Sequence, residues 1–214
     1  MPGLAHFCEH LLFMGSTQFP QEDAYSEFIQ AHGGGYNAWT AATNTIYFFS
    51  IGADHLSGAL QRFSGFFHSP LFDPSCTTRE LRAVNSENEM YTQSDIHRAF
   101  LVLKALSRPG HPYTKFDTGN LHSLTYAGRI MEKQLDLTSA SALTHGSMNN
   151  VPPEASDDAE VSLQGEDGGI VGQETRRRLV EWWETHYSAS NMNLAIIGKG
   201  LKTLIMARPT ADVS

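Results

Sequence analysis

The chain has no run of 18 consecutive apolar residues, so nothing in it reads as a helical membrane span. Its N-terminus lacks a basic segment followed by an apolar run and a small-residue cleavage site, and no signal peptide is read there. Only two cysteines, Cys8 and Cys76, occur in 214 residues. That is too few for a disulfide framework, and a reducing, cytoplasmic setting is expected ahead of a mitochondrial one. Aromatic residues are missing from 131 to 175, where Ser, Asn, Pro, Gly and acids accumulate. This stretch holds nine acids and one base, which accounts for the whole net charge of −8; elsewhere 14 acids balance 14 bases. The acidity therefore belongs to one segment and gives no sign of a nucleic-acid partner.

What remains is ordinary globular material, 41% hydrophobic and 18% charged, enough for one or two domains with a sizeable core. Residues 4 to 14 have helical periodicity and close on Gly15-Ser16. A second helix is expected over 20–31, ended by glycines 33 to 35. The aromatic and β-branched stretch "YNAWTAATNTIYFFSIG" predicts strands at 36–42 and 45–51. Leu56, Leu60, Phe63 and Phe67 share one face of a predicted helix over 54–68. From 77 to 106 neither Pro nor Gly interrupts a helical pattern, and "RPGHPYTKFDTGN" then reads as a loop. Residues 131–175 are too poor in apolar side chains to offset their ordering entropy, which predicts a disordered insert. Helix resumes in "RRRLVEWWETHYSASN", and "MNLAIIG", 192–198, reads as a buried strand.

The chemistry concentrates in "GLAHFCEHLLFMGS". On a helix His6 and His10, four apart, present two imidazoles on one side, with Glu9 beside them. Zinc takes such nitrogen and oxygen ligands, and a catalytic site keeps three protein ligands and an open fourth position. A carboxylate alongside can take a proton from a water whose pKa the metal lowers to roughly 7. His-x-x-Glu-His is the inverse of His-Glu-x-x-His and is a zinc-hydrolase pattern. The competing reading is an amphipathic helix whose histidines are only solvated. Candidates for a third ligand stand in "RELRAVNSENEM", where Glu80 and Glu87, two turns apart, share a helix face. One could ligate while the other supports a ligand histidine. Glu89 points elsewhere. His97, His111, His122 and His186 lie outside any ligand spacing and read as surface or hydrogen-bonded residues. "GKGLKT" lacks the upstream glycine of a phosphate loop.

In order and spacing, "GLAHFCEHLLFMGS", "YNAWTAATNTIYFF", "PLFD" with "RELRAVNSENE", and "HPYTKFDTGN" resemble the pitrilysin/insulinase family of zinc metallopeptidases. Its insulysin branch, with the fungal pheromone-processing members, is nearest, and that branch also carries a cysteine where Cys8 stands. The likeness runs from the first residues to about 125 and resumes at 176–198. It implies an α+β metallopeptidase domain of the LuxS/mitochondrial-processing-peptidase-like type, a sheet packed by helices. It further implies sheet strands before the zinc helix and a second enzyme half, neither of which is read in these 214 residues. The domain reading is 1–130 and 176–198 as peptidase domain, 131–175 as insert and 199–214 as a divergent tail.

The resemblance also assigns roles. His6, His10 and Glu87 would hold one Zn2+, Glu9 would be the general base, and Glu80 would support the ligands from behind. Asn37, Ala38, Trp39 and Thr40 would form the strand edge to which a peptide substrate adds; an ordinary paired strand is the alternative. The implied activity is a zinc metalloendopeptidase cleaving short peptides. A truncated, catalytically weak fragment or a non-catalytic binding module of the same fold is the other reading. A second copy of the chain or the absent half would be its macromolecular partner.

Overall fold

The computed structural model describes residues 1–143 and 163–199. The chain divides into two compact units: Ala5–Asp73 with Arg178–Ser214, and Met1–Leu4 with Pro74–Arg177. The first contains a β-hairpin, the second is helical.

In the hairpin unit, α1 (Leu4–Leu12) is followed by α2 (Ala24–Ala31), then β1 (Gly35–Thr40), β2 (Thr45–Ser50) and α3 (Leu56–His68). β1 and β2 pair antiparallel in the register Tyr36↔Phe49, Ala38↔Tyr47 and Thr40↔Thr45. The period of two sends these six side chains to one face, half-buried, while Asn37, Trp39, Ile46 and Phe48 are exposed on the other. The inner face meets aromatic rings of the helices: Tyr36 lies 5.3 Å from Tyr25, Phe49 5.2 Å from Phe63 and Tyr47 6.1 Å from Phe66. The glycine run performs the entry into the hairpin. Gly33 takes the left-handed φ of 68° that ends a helix cheaply, and a Cβ on Gly34 would stand 2.2 Å from the Ser50 carbonyl oxygen. Arg62 of α3 lies between the rings of Phe19 and Phe28, 4.3 and 3.9 Å from their centroids, and donates to the carbonyls of Ala24 and Gly58.

The helical unit is built from α4 (Pro74–Thr92), α5 (Asp95–Leu106), α6 (Leu121–Leu143) and the first part of α7 (Gly169–His186). Leu81, Val84, Leu124 and Val171 are fully buried in it. The start of α6 is fixed by a reciprocal cap, since Ser123 N donates to Asn120 Oδ1 and Asn120 N to Ser123 Oγ. Asn85 of α4 accepts from Leu121 N at 3.0 Å. Gly128 lets α6 approach α7 closely: a Cβ there would lie 2.7 Å from Val171 Cα. Thr175 returns its hydroxyl to the carbonyls of Leu124 and Val171. On α5, Ile96, Phe100, Leu103 and Leu106 are exposed.

The α+β class is observed, helix-dominated with a two-stranded sheet. Three expectations need correction. The helix over 77–106 is two helices, because Ser94 adopts extended backbone (φ −92°, ψ 122°) and Asp95 opens a new first turn. A serine followed by an acid can restart a helix without Pro or Gly. Residues 131–175 are not one disordered insert: 131–143 complete α6, and Val171 and Thr175 of α7 are buried. There the few apolar side chains sit at helical spacing, which a count of composition does not register. Residues 144–162 of that insert, and 200–214 of the expected tail, lie outside the described residues. Finally, 192–198 forms no strand and Ile197 is 95% exposed, because no neighbouring strand among the described residues offers it a ladder.

Gly128→Ala provides a test of the α6–α7 contact. In an exposed helix this change stabilises by up to about 1 kcal/mol. Here the added methyl meets backbone, and urea unfolding should show a loss of about 1–3 kcal/mol.

Candidate metal centre and its relatives

α1 forms because Phe7, Cys8, Leu11 and Leu12, all fully buried, recur at helical spacing. That burial fixes the rotation of the helix. His6 and His10 fall on a half-buried side, with ring centroids 4.7 Å apart and planes at 85°. Glu9 lies further in, 7% exposed. A buried carboxylate requires hydrogen-bond donors, and Thr40 Oγ1 donates to Glu9 Oε2 at 2.5 Å. Thr45 Oγ1 is 3.0 Å from Thr40 Oγ1. With the Thr40 proton committed to Glu9, Thr45 donates in turn, so the hairpin's last pair holds the carboxylate. Behind Glu9, Cys8 bonds the Tyr187 hydroxyl, which lies 2.6 Å from that of Tyr47. Burial pushes the Cys8 thiol and the Tyr47 and Tyr187 phenols well above their ordinary ranges. Cys8 is thus a packed, protonated thiol, and the nitrogen donors are the available ligands on this helix.

Glu80 and Glu87 belong to the helical unit, both half-buried on α4. Glu87 accepts a short hydrogen bond from the Tyr91 hydroxyl, one turn on. Glu89 is exposed and receives Asn85 Nδ2 at 2.7 Å, away from its neighbour's face. Asn37 to Thr40 occupy β1, which has β2 on one side and no strand on the other among the described residues. Asn37 and Trp39 point outward and Ala38 and Thr40 inward, and the Ala38 amide is taken by Asn37 Oδ1 at 2.9 Å.

Two groups escape the sequence reading. Tyr91 carries a usable signal, its four-residue spacing from Glu87. Thr40 as a donor to Glu9 carries none, since that contact spans 31 residues. The four histidines set aside in the sequence are hydrogen-bonded: His97 to Ser94, His111 to Tyr113, His122 to Arg129 and His186 to Trp182.

The family described as Insulinase (Peptidase family M16) matches residues 1–111. The chain belongs to that family. The A-factor-processing enzyme of Saccharomyces cerevisiae is 56% identical over 124 residues, 58% of this chain and 12% of the yeast protein. The insulin-degrading enzyme of Mus musculus is 48% identical over 124 residues, again 58% of this chain and 12% of that protein. A putative zinc protease of Schizosaccharomyces pombe is 37% identical over 197 residues, 92% of this chain and 16% of that protein. Among solved structures, pitrilysin superposes with a TM-score of 0.58 at 28% identity, covering 87% of this chain and 15% of that one. The chain therefore spans 12 to 16% of the length of these relatives. Among the described residues no helix is long and apolar enough to cross a membrane.

Two outcomes are expected at this centre. Thr40→Val, which keeps shape and removes the donor to Glu9, should cost about 1–3 kcal/mol in urea unfolding, with Thr40→Ser close to the parent. The raised phenols of Tyr47 and Tyr187 set a pH dependence. Unfolded phenols ionise near about pH 10 while the folded ones keep their protons, so their stabilisation is intact below pH 10 and lost above it. Unfolding midpoints between pH 8 and 11 should begin to fall near about pH 9, where the unfolded Cys8 thiol ionises, and fall more steeply beyond about pH 10; Tyr187→Phe should flatten the steeper part.

Proposed function

We propose that this chain carries the zinc ligands, the general base and a substrate edge of a metalloendopeptidase that cleaves short peptides. The observation that carries the reading is a buried glutamate, held by a threonine pair, on the same short helix as two histidines whose rings lie 4.7 Å apart. The donor set fits zinc: two imidazoles and a carboxylate leave one of four positions open, and the nearby thiol is withdrawn by burial. By resemblance to the family's motifs, His6, His10 and Glu87 would each give one ligand atom to a single ion. Glu80, half-buried on the same helix as Glu87, is assigned to support a ligand from behind.

Zinc bound there would supply Lewis acidity, lowering the pKa of water to roughly 7 and polarising the scissile carbonyl. Glu9 accepts the proton of the attacking water on its carboxylate and returns it to the departing amine nitrogen. Thr40 keeps that carboxylate in one rotamer through the exchange. β1 receives the substrate as an added antiparallel strand along Asn37 to Thr40, so affinity rests on backbone hydrogen bonds and side-chain preference is loose. The incoming chain must displace Asn37 Oδ1 from the Ala38 amide, which restricts binding to extended segments that supply a carbonyl there. Two buried free cysteines suit a reducing, cytoplasmic setting.

Glu9→Gln is the decisive variant. It should abolish hydrolysis of a fluorogenic peptide library while zinc content stays near one ion per chain. Cleavage that survives this change would sink the mechanism.

A further inference from the structure

Glu87 is one member of a short hydrogen-bonded and stacked series on the helical unit. Tyr91, one turn later on α4, donates its hydroxyl to Glu87 Oε1. The Tyr91 ring lies face to face with His97, centroids 4.0 Å apart and planes at 12°. His97 is anchored in turn, its Nδ1 3.0 Å from the hydroxyl of Ser94. This arrangement depends on the interruption between α4 and α5. On a continuous helix, positions 91 and 97 would stand about 120° apart around the axis and could not stack. The extended backbone of Ser94 turns the chain so that the first turn of α5 returns over the last turn of α4.

We propose that Tyr91 is a positioning residue for Glu87. Its hydroxyl fixes the rotation of the carboxylate, and the His97 stack and Ser94 fix the phenol. This rests on the reading of Glu87 as a zinc ligand. The phenol engages one carboxylate oxygen and so sets the direction in which the other points. A free carboxylate would lose that freedom only on meeting the ion, and the ordering cost would appear as weaker binding. Partners of this kind, one bond removed from a metal, are worth roughly 10- to 100-fold in affinity. Tyr91→Phe removes the hydroxyl and leaves the ring on His97.

The test is zinc affinity of the purified chain by competition with a chromophoric chelator, with the cobalt(II) absorption spectrum as a second readout. Tyr91→Phe should bind zinc roughly tenfold more weakly and shift the cobalt bands, with the thermal midpoint of the metal-free chain unchanged. His97→Ala should weaken binding by about two- to fivefold, because the hydroxyl remains but its ring is no longer held. Glu87→Gln separates the two layers. If it reduces affinity by roughly a hundredfold while Tyr91→Phe stays within about twofold of the parent, the positioning role is refuted and the ligand stands. If Glu87→Gln leaves zinc affinity and the cobalt spectrum unchanged, Glu87 is not a ligand and the role of Tyr91 falls with it.

Discussion

The hydrogen bond from Thr40 to Glu9 joins the two features on which the hairpin unit depends. Glu9 is carried inward because its helix neighbours are apolar, and an ionised carboxylate at that depth is tolerable only if a donor arrives with it. Thr40 can arrive only if the hairpin is in register, with Thr40 opposite Thr45. A slip of one residue would turn every inward side chain of β1 to solvent and leave the carboxylate without its partner. The rotation of α1 and the pairing of β1 with β2 are therefore mutually enforcing. The histidine pair inherits its orientation from that agreement, because no other rotation of α1 buries Phe7, Leu11 and Leu12 together.

The aromatic rings make the same unit rigid on its inner side. Phe13 stands within 5.3 Å of Tyr36 and 5.0 Å of Phe66, so one side chain at the end of α1 touches both the hairpin and α3. The contact with Phe66 is edge-to-face and that with Tyr36 tilted, and such ring geometries specify orientation as well as burial. The helical unit uses different means. Its helices approach through Gly128 and are tied by the Thr175 hydroxyl, which donates to backbone carbonyls, and by Asn85, which accepts from the Leu121 amide. One unit is specified by ring geometry, the other by close backbone approach.

Much of this is legible in the amino-acid sequence. Helices α1, α2 and α3 and both strands announce themselves through apolar period and glycine punctuation, and the four-residue spacing of His6 and His10 places their two imidazoles side by side on α1. Residues 131–143 defeat a reading by composition, because acids and small polar residues dominate a long window while α6 needs only one apolar residue per turn to continue. The pause at Ser94 is invisible for another reason. Serine breaks a helix only when its backbone turns extended, and here the His97 ring makes that turn worthwhile. No strand forms at 192–198 because β structure requires a partner, and apolar character alone supplies none. Tyr91 comes within reach when the four-residue rule that picks out the histidine pair is applied to glutamates as well.

The outward face of the hairpin has a consequence for the molecule in solution. Trp39, Ile46 and Phe48 form a small apolar surface beside two strand edges that carry no further ladder among the described residues. An unpaired strand edge has no chemical means of telling one extended chain from another, including the same strand of a second molecule. Asn37, folded back on the Ala38 amide, occupies one of the positions such a neighbour would use. Any external strand arriving at that position, from another molecule or from a second copy of the chain, would first have to displace this internal bond.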